Sequence, residues 1–272
     1  MARSILILGG SSEARQLAGL VAGRHDLAAI LSLAGRTQKP LAQPVATRSG
    51  GFGGADGLAR WLREHDIALL IDATHPFAAR MSANAATAAR QTGIPLIAMR
   101  RPPWTPGPGD NWRQVTNLAE ALDLAGDRPR RIFVTLGRQE LAPLAGAPQH
   151  HYLIRSIDPI TPPLDLPHAT FIEARGPFRL EDETALLRHH AIDLIIAKNS
   201  GGSAARAKLD AARALGLAVA MIARPAPPPA LSDVEHIASN APEAFDLIDH
   251  LLPPSSRGPQ MSGASAGQKR GE

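Results

Sequence analysis

The segment Gly9-Gly10-Ser11-Ser12-Glu13-Ala14 follows the apolar run Ile5–Leu8 directly and opens a stretch of helical spacing. Glycines at such a turn let the backbone approach a ligand closely. The exposed N–H groups of the helix start, with the helix dipole, favour a diphosphate. Ser11 and Ser12 are suited to cap the helix and to bond a phosphate oxygen, with Glu13 beside them. The motif departs from G-x-G-x-x-G, so a glycine-rich turn without a ligand is the competing reading.

About 20–25 residues on, Ser32-Leu33-Ala34-Gly35-Arg36-Thr37 closes a second apolar run. Sites for NAD place Asp or Glu here to bond the ribose 2′-hydroxyl, and this segment has neither. Arg36, with Ser32, Gly35 and Thr37 around it, is placed to grip a 2′-phosphate through charge-assisted bonds. The plainer reading is a solvated arginine. NADP(H) is the expected cofactor rather than NAD(H).

Two further loops are expected on the same edge. Gly50-Gly51-Phe52-Gly53-Gly54 permits close backbone approach or mobility, with Gly53 as the expected cofactor contact. Asp72-Ala73-Thr74-His75-Pro76-Phe77-Ala78 ends the run Ala68–Asp72 with polar groups, and Thr74, His75 and Pro76 are read as cofactor contacts. His75 is a proton donor, a contact to nicotinamide or ribose, or only a helix-start histidine.

The second half of the chain offers cations. Lys198-Asn199-Ser200-Gly201-Gly202 lies between an apolar run and a helical pattern, as an anion- or carbonyl-binding loop would. An ordinary turn with a solvated lysine is the alternative. Thr135-Leu136-Gly137-Arg138-Gln139 and Glu173-Ala174-Arg175-Gly176-Pro177-Phe178 are similar strand ends. Arg138, Arg175 and Lys198 would face a ligand with several carboxylates, and Glu173, Asn199, Ser200, Gly201 and Gly202 complete the expected substrate contacts. Lys198 is the second candidate proton donor. His150-His151 and His189-His190 are adjacent pairs whose side chains diverge, and no H-E-x-x-H occurs, so no metal site is expected.

These loops need strands and helices to hold them. Apolar runs at Ile5–Leu8, Leu27–Leu33, Val45–Thr47, Ala68–Asp72 and Ile94–Met99 alternate with helical patterns, the rhythm of a parallel sheet with crossover helices. The stretch from Arg101 to Gly109, rich in proline and glycine, interrupts it. The rhythm then resumes, with strands at Arg131–Leu136, Tyr152–Ser156, Thr170–Ala174, Asp193–Ala197 and Ala218–Ala223, and a last helix at Pro242–Leu251. The expected architecture is α/β: two Rossmann-like parallel-sheet domains in tandem with a cleft between them. The expected boundaries are 1–102 for the cofactor domain, 103–252 for the substrate domain and 253–272 for a disordered tail.

Composition narrows the chemistry. The chain of 272 residues has no cysteine, which excludes disulfides, thiolate nucleophiles and iron–sulfur clusters. Redox chemistry must therefore use a bound organic cofactor. The net charge is +4, but aromatics are 4% and no basic run carries interleaved rings, which disfavours nucleic acid. No apolar stretch approaches the ~18 residues of a membrane span, and the first run is too short for a signal peptide. A cytoplasmic protein acting on a small polyanion is expected.

Taken in order, the segments Gly9–Ala14, Ser32–Thr37, Gly50–Gly54, Asp72–Ala78, Arg101–Trp104, Thr135–Gln139, Glu173–Phe178, Lys198–Gly202 and Arg224-Pro225 closely resemble the precorrin-6A reductase family of cobalamin biosynthesis. The resemblance implies an NADPH-dependent reductase that converts precorrin-6A to precorrin-6B by reducing one macrocycle double bond. It implies a tetrapyrrole-derived polycarboxylate as partner, and contact with neighbouring pathway enzymes. The anaerobic-pathway reductase of the cobalt-containing ring is the nearest alternative. A short-chain dehydrogenase is a poor match, because Ser156 stands four residues after the only tyrosine, Tyr152. A non-catalytic NADP-binding regulator would not need the second set of cationic loops.

Overall fold

The computed structural model describes residues 2–35 and 41–254. Arg36, Thr37 and the tail from 255 onward lie outside the described residues, so those expectations have no structural counterpart.

The first lobe runs β1 (Arg3–Leu8), α1 (Ser12–Val21), β2 (Leu27–Leu33), β3 (Ala46–Ser49), α2 (Gly54–Glu64), β4 (Ile67–Asp72), α3 (Ala79–Thr92) and β5 (Leu96–Met99). The chain then crosses to form β6 (Asn111–Val115), α4 (Leu118–Ala125), β7 (Arg131–Thr135), β8 (His151–Ser156), β9 (Ala169–Glu173), α5 (Leu180–His189), β10 (Leu194–Lys198), α6 (Ala207–Leu215) and β11 (Ala218–Ile222). It returns as β12 (His236–Ala238) and α7 (Ala241–Leu251). Among the described residues, no helix is long and apolar enough to cross a membrane.

The sheets are ordered β12-β5-β4-β1-β2-β3 and β6-β11-β10-β7-β8-β9, and their pairings are parallel. Read from the far edge, each follows the 3-2-1-4-5-6 order of dinucleotide-binding sheets. The sixth position of each sheet, however, is filled by the strand that adjoins the other lobe in sequence. β6 follows β5 yet pairs with β11, and β12 follows β11 yet pairs with β5.

This exchange corrects the expected boundary. Residues 103–252 are not one domain, because β12 and α7 complete the first lobe. Ala238, Ala241, Ala244 and Ile248 are wholly buried among Ile5, Leu17, Val21 and Ile97. Arg24 ties this return to the first lobe through Asp249 and the Leu252 carbonyl. The periodicity of β6 is obscured because Asn-Trp-Arg-Gln-Val is a largely exposed edge strand. That of β12 is hidden because three residues carry no measurable period.

Both faces of each sheet are covered. One face of the first sheet packs Ile5, Ile7, Leu69 and Ile71 against α1 and α7. The other packs Leu6, Leu8 and Leu70 against α2 and α3. The continuous apolar strands noted in the sequence are the consequence.

Candidate functional site

Strand register sets one row across the carboxyl edge of the first sheet. Ala98, Asp72, Leu8, Ser32 and Arg48 stand level on β5, β4, β1, β2 and β3. Immediately beyond Leu8, a Cβ on Gly9 would come within 2.6 Å of Leu31 Cδ1, so a larger residue there would push the buried Leu31 side chain aside. Gly10 has φ +107° and nothing within 4 Å of its missing Cβ. The chain therefore turns tightly and leaves open space before α1, whose first N–H groups lack intrahelical partners. This cradle suits a diphosphate.

The two serines divide the work differently from expectation. Ser11 Oγ accepts from the Ala14 N–H at 3.1 Å and donates to the Ala73 carbonyl at 2.7 Å. It caps α1 and ties it to β4, so its single proton is not available to a phosphate. Ser12 Oγ donates to Glu13 at 3.0 Å. Glu13 is itself paired with Arg101. Burial alone would raise the Glu13 carboxyl, but the Arg101 guanidinium overrides it and holds the pKa below its ordinary value. Glu13 thus faces the other lobe rather than a phosphate.

Asp72 is wholly buried at the end of β4. It accepts from Thr74 Oγ1 at 2.7 Å and from Arg100 at 2.6 Å. These bonds shape the turn that presents His75, Pro76 and Phe77. Phe77 packs onto the core of the second lobe and lies 4.6 Å beneath the Lys198 ammonium. The two carboxyl edges therefore face one another.

His75 Nδ1 accepts from the Phe77 N–H at 3.3 Å, leaving its remaining proton on Nε2. Burial, then the charges of Arg101, Lys198 and Arg224, push its pKa down to about 3; Glu13 opposes them weakly. The imidazole is neutral at neutral pH, which makes it a poor candidate for the charged acid expected from its residue type. The folded state binds fewer protons than the unfolded state between the ordinary value of 6.5 and about 3. Its contribution to stability is complete above 6.5 and is lost as pH falls toward 3. His75→Asn is expected to flatten this acid branch, read as Tm between about pH 7 and pH 4. Parallel Tm curves for the two proteins would contradict it.

The loop after β10 serves a different purpose from the one read in the sequence. Asn199 Oδ1 accepts from the Trp104 N–H, and Asn199 Nδ2 donates to the Trp104 carbonyl, both at 2.8 Å. The Ser200 carbonyl accepts from Arg101 Nε at 2.6 Å and from Arg224 Nη2 at 2.9 Å. A Cβ on Gly201 would strike the Pro102 carbonyl, and one on Gly202 would stand 2.8 Å from Glu13 Oε1. Asn199, Ser200, Gly201 and Gly202 thus clasp the crossing segment against both lobes. Arg224 completes the clasp with bonds to the Asn199, Arg101, Pro102 and Ser200 carbonyls.

Lys198 alone of the expected substrate residues lines the adjoining cavity of about 700 Å³. Its ammonium pairs with Glu140, which lies on the short turn that also carries Arg138. Thr116, Asn117, Ala119, Leu136, Ile222 and Arg224 form other walls. Glu173 ends β9 and Arg175 follows two residues on, with β9 three strands from β10, roughly 14 Å away at ~4.8 Å per strand. They do not line this cavity. Sequence reading missed the Thr116–Ala119 wall because β6 before it was not recognised. The available signal was Asn117 followed by Glu120, an N-cap pattern realised by Asn117 Oδ1 accepting from the Glu120 N–H at 3.0 Å. Among the described residues no cluster suited to a metal ion occurs.

Two doubly covered parallel sheets, facing across a cationic cleft with a glycine cradle at the first strand, define a two-lobed α/β oxidoreductase. The family model described as Precorrin-6x reductase CbiJ/CobK matches residues 4–245. A precorrin-6A reductase of Sinorhizobium sp is 55% identical over 253 residues, covering 92% of this chain and 94% of that protein. One from Rhodococcus erythropolis is 51% identical, covering 86% and 94%. The solved structure of CobK precorrin-6A reductase has a TM-score of 0.86 at 46% identity, covering 93% of this chain and 98% of that one. The chain belongs to the precorrin-6x reductase family, and is an oxidoreductase of cobalamin biosynthesis acting on a CH–CH bond.

Proposed function

We propose that the chain reduces one macrocycle double bond of precorrin-6A, giving precorrin-6B, with NADPH as reductant. The observation that carries this reading is the 700 Å³ cavity lined by Lys198 and Arg224 of the second lobe and by Phe77 from the first-lobe turn that presents His75. Cations gathered at a partly desolvated cleft suit a substrate that bears many carboxylates.

The residues present fit the nucleotide. Gly9 and Gly10 leave room for a diphosphate at the α1 start, and the first-turn N–H groups would hold it. When bound, NADPH supplies the hydride for one carbon of the double bond. Gly53 and Gly54, with open space beside them, would line the neighbouring edge, and Thr74, His75 and Pro76 would border the nicotinamide end. The protein's part is alignment and exclusion of water. Lys198 holds a substrate carboxylate or delivers the proton to the neighbouring carbon. Of the two candidate acids it is the one that lines the cavity. Phe77, stacked under Lys198, limits where the ammonium can reach.

Mixing the protein with NADPH and precorrin-6A and following both absorbance spectra tests the reading; unchanged spectra would leave only a binding module. The cofactor choice is tested separately. Arg36→Ala is expected to raise KM for NADPH by about 10–100-fold, the worth of one charge-assisted bond, with KM for NADH nearly unmoved. Equal losses for the two cofactors would remove the 2′-phosphate role of Arg36.

A further inference from the structure

Arg48 was not among the residues singled out by spacing, yet it stands on β3 level with Ser32 at the end of β2. Ser32 occupies the strand end where NAD sites carry an acid. Arg48 Nη1 donates to Ser32 Oγ at 2.7 Å and to the Gly50 carbonyl at 3.0 Å, and Nη2 donates to the Gly51 carbonyl at 3.3 Å. Its guanidinium carbon lies 3.9 Å from the Phe52 ring centroid. These contacts fix the fork and, among the described residues, leave Nε–H and one Nη2–H unspent.

Arg48 makes no ion pair among the described residues. The first lobe's other strand-edge cation, Arg100, is neutralised by Asp72. A half-buried guanidinium fixed by neutral acceptors, with no carboxylate paired to it among the described residues, suits an anion. Ser32 Oγ, acting as acceptor toward Arg48, keeps its own proton to donate. The glycines at 50, 53 and 54 have nothing within 4 Å of their missing side chains, so the space beside the fork is open. A diphosphate seated at α1 puts the adenosine ribose over the end of β2, next to Ser32.

We propose that Arg48, together with the Ser32 hydroxyl, contacts the 2′-phosphate and sets the preference for NADPH over NADH. The inference rests on the NADPH reading above and adds to it a cation held in the sheet itself. Arg48 is then a cofactor-specificity residue, whereas a merely structural Arg48 would only clip the Gly50–Gly51 loop to β2.

Isothermal titration of the full chain with 2′,5′-ADP and with ADP separates these roles. The wild type is expected to bind 2′,5′-ADP at least about tenfold more tightly than ADP. Arg48→Gln is expected to cut that margin about tenfold, Arg36 keeping what remains, while moving ADP affinity less than about twofold. Arg48→Lys, which keeps the charge but not the fork, should retain part of the margin. It also serves if the glutamine variant does not fold. A margin undiminished in Arg48→Gln, or kept in full in Arg48→Lys, overturns the proposal, as does an equal loss for both nucleotides. A wild type without any margin fells the NADPH reading, and the role of Arg48 with it.

Discussion

A chain ending at residue 235 is expected to lose NADPH binding, although every expected cofactor residue from Gly9 to Pro76 remains in it. The missing piece is β12 with α7. β12 fills the sixth position of the first sheet by pairing with β5. Arg100 N–H, next to the Asp72 turn, donates to the Ala238 carbonyl at 2.7 Å. α7 covers the face of the sheet shared with α1, burying Ala241, Ala244 and Ile248 completely. One large aliphatic side chain contributes about 1.5–3 kcal/mol on burial. With the alanines, the ladder and the Arg24–Asp249 pair, the loss is on the order of 5–10 kcal/mol, comparable to the whole stability of a domain. The truncated protein should be insoluble, or soluble with an unstable first lobe, and titration should detect no NADPH heat. Wild-type affinity in a soluble 1–235 chain would show that the first lobe stands without its returning strand.

Lys198→Ala is expected to lower kcat/KM for precorrin-6A by about 10–100-fold, with the Kd for NADPH changed less than about twofold. The asymmetry follows from position. Lys198 ends β10 in the second lobe, lines the cavity and sits over Phe77, whereas the glycine cradle is on β1 of the first lobe. The lost ammonium is one charge-assisted bond, worth ~1.5–3 kcal/mol, and the variant also leaves Glu140 without its partner facing a polyanion. A fall confined to kcat would mark Lys198 as the proton donor. A rise confined to KM would mark it as a carboxylate anchor. Unaltered kcat and KM would exclude both.

Much of the scaffold was legible because buried parallel strands advertise themselves. Ile5–Leu8, Ala68–Asp72 and Asp193–Ala197 are apolar on both faces, and the strands observed differ from those runs by one or two residues at their ends. Helix starts were legible where a side chain caps them. The glycine cradle was legible because Gly10 takes φ +107°, where glycine is favoured. Composition excluded classes: without cysteine, disulfides, thiolate nucleophiles and iron–sulfur clusters fall away, and few aromatics disfavour nucleic acid. The order of the loops then carried the family.

Other features had no local signature. The exchange of β6 and β12 depends on which sheet edge each strand meets, and both are short or exposed edges whose residues would read the same on either sheet. The Lys198–Gly202 loop reads as an anion site by residue type. Its amide and carbonyls are instead spent on Trp104, Arg101 and Arg224, more than twenty residues away in the chain. His75 reads as an acid until burial and the charges of three residues distant in the chain hold it neutral. Arg48 reads as a surface residue of a polar strand until its register sets it against Ser32. Periodicity, being local, determined the α/β class, and the order of the loop motifs carried the family. Only the packed chain decided the boundary of the lobes, the protonation of His75 and which cations face the ligand, because each depends on groups brought together across the sequence.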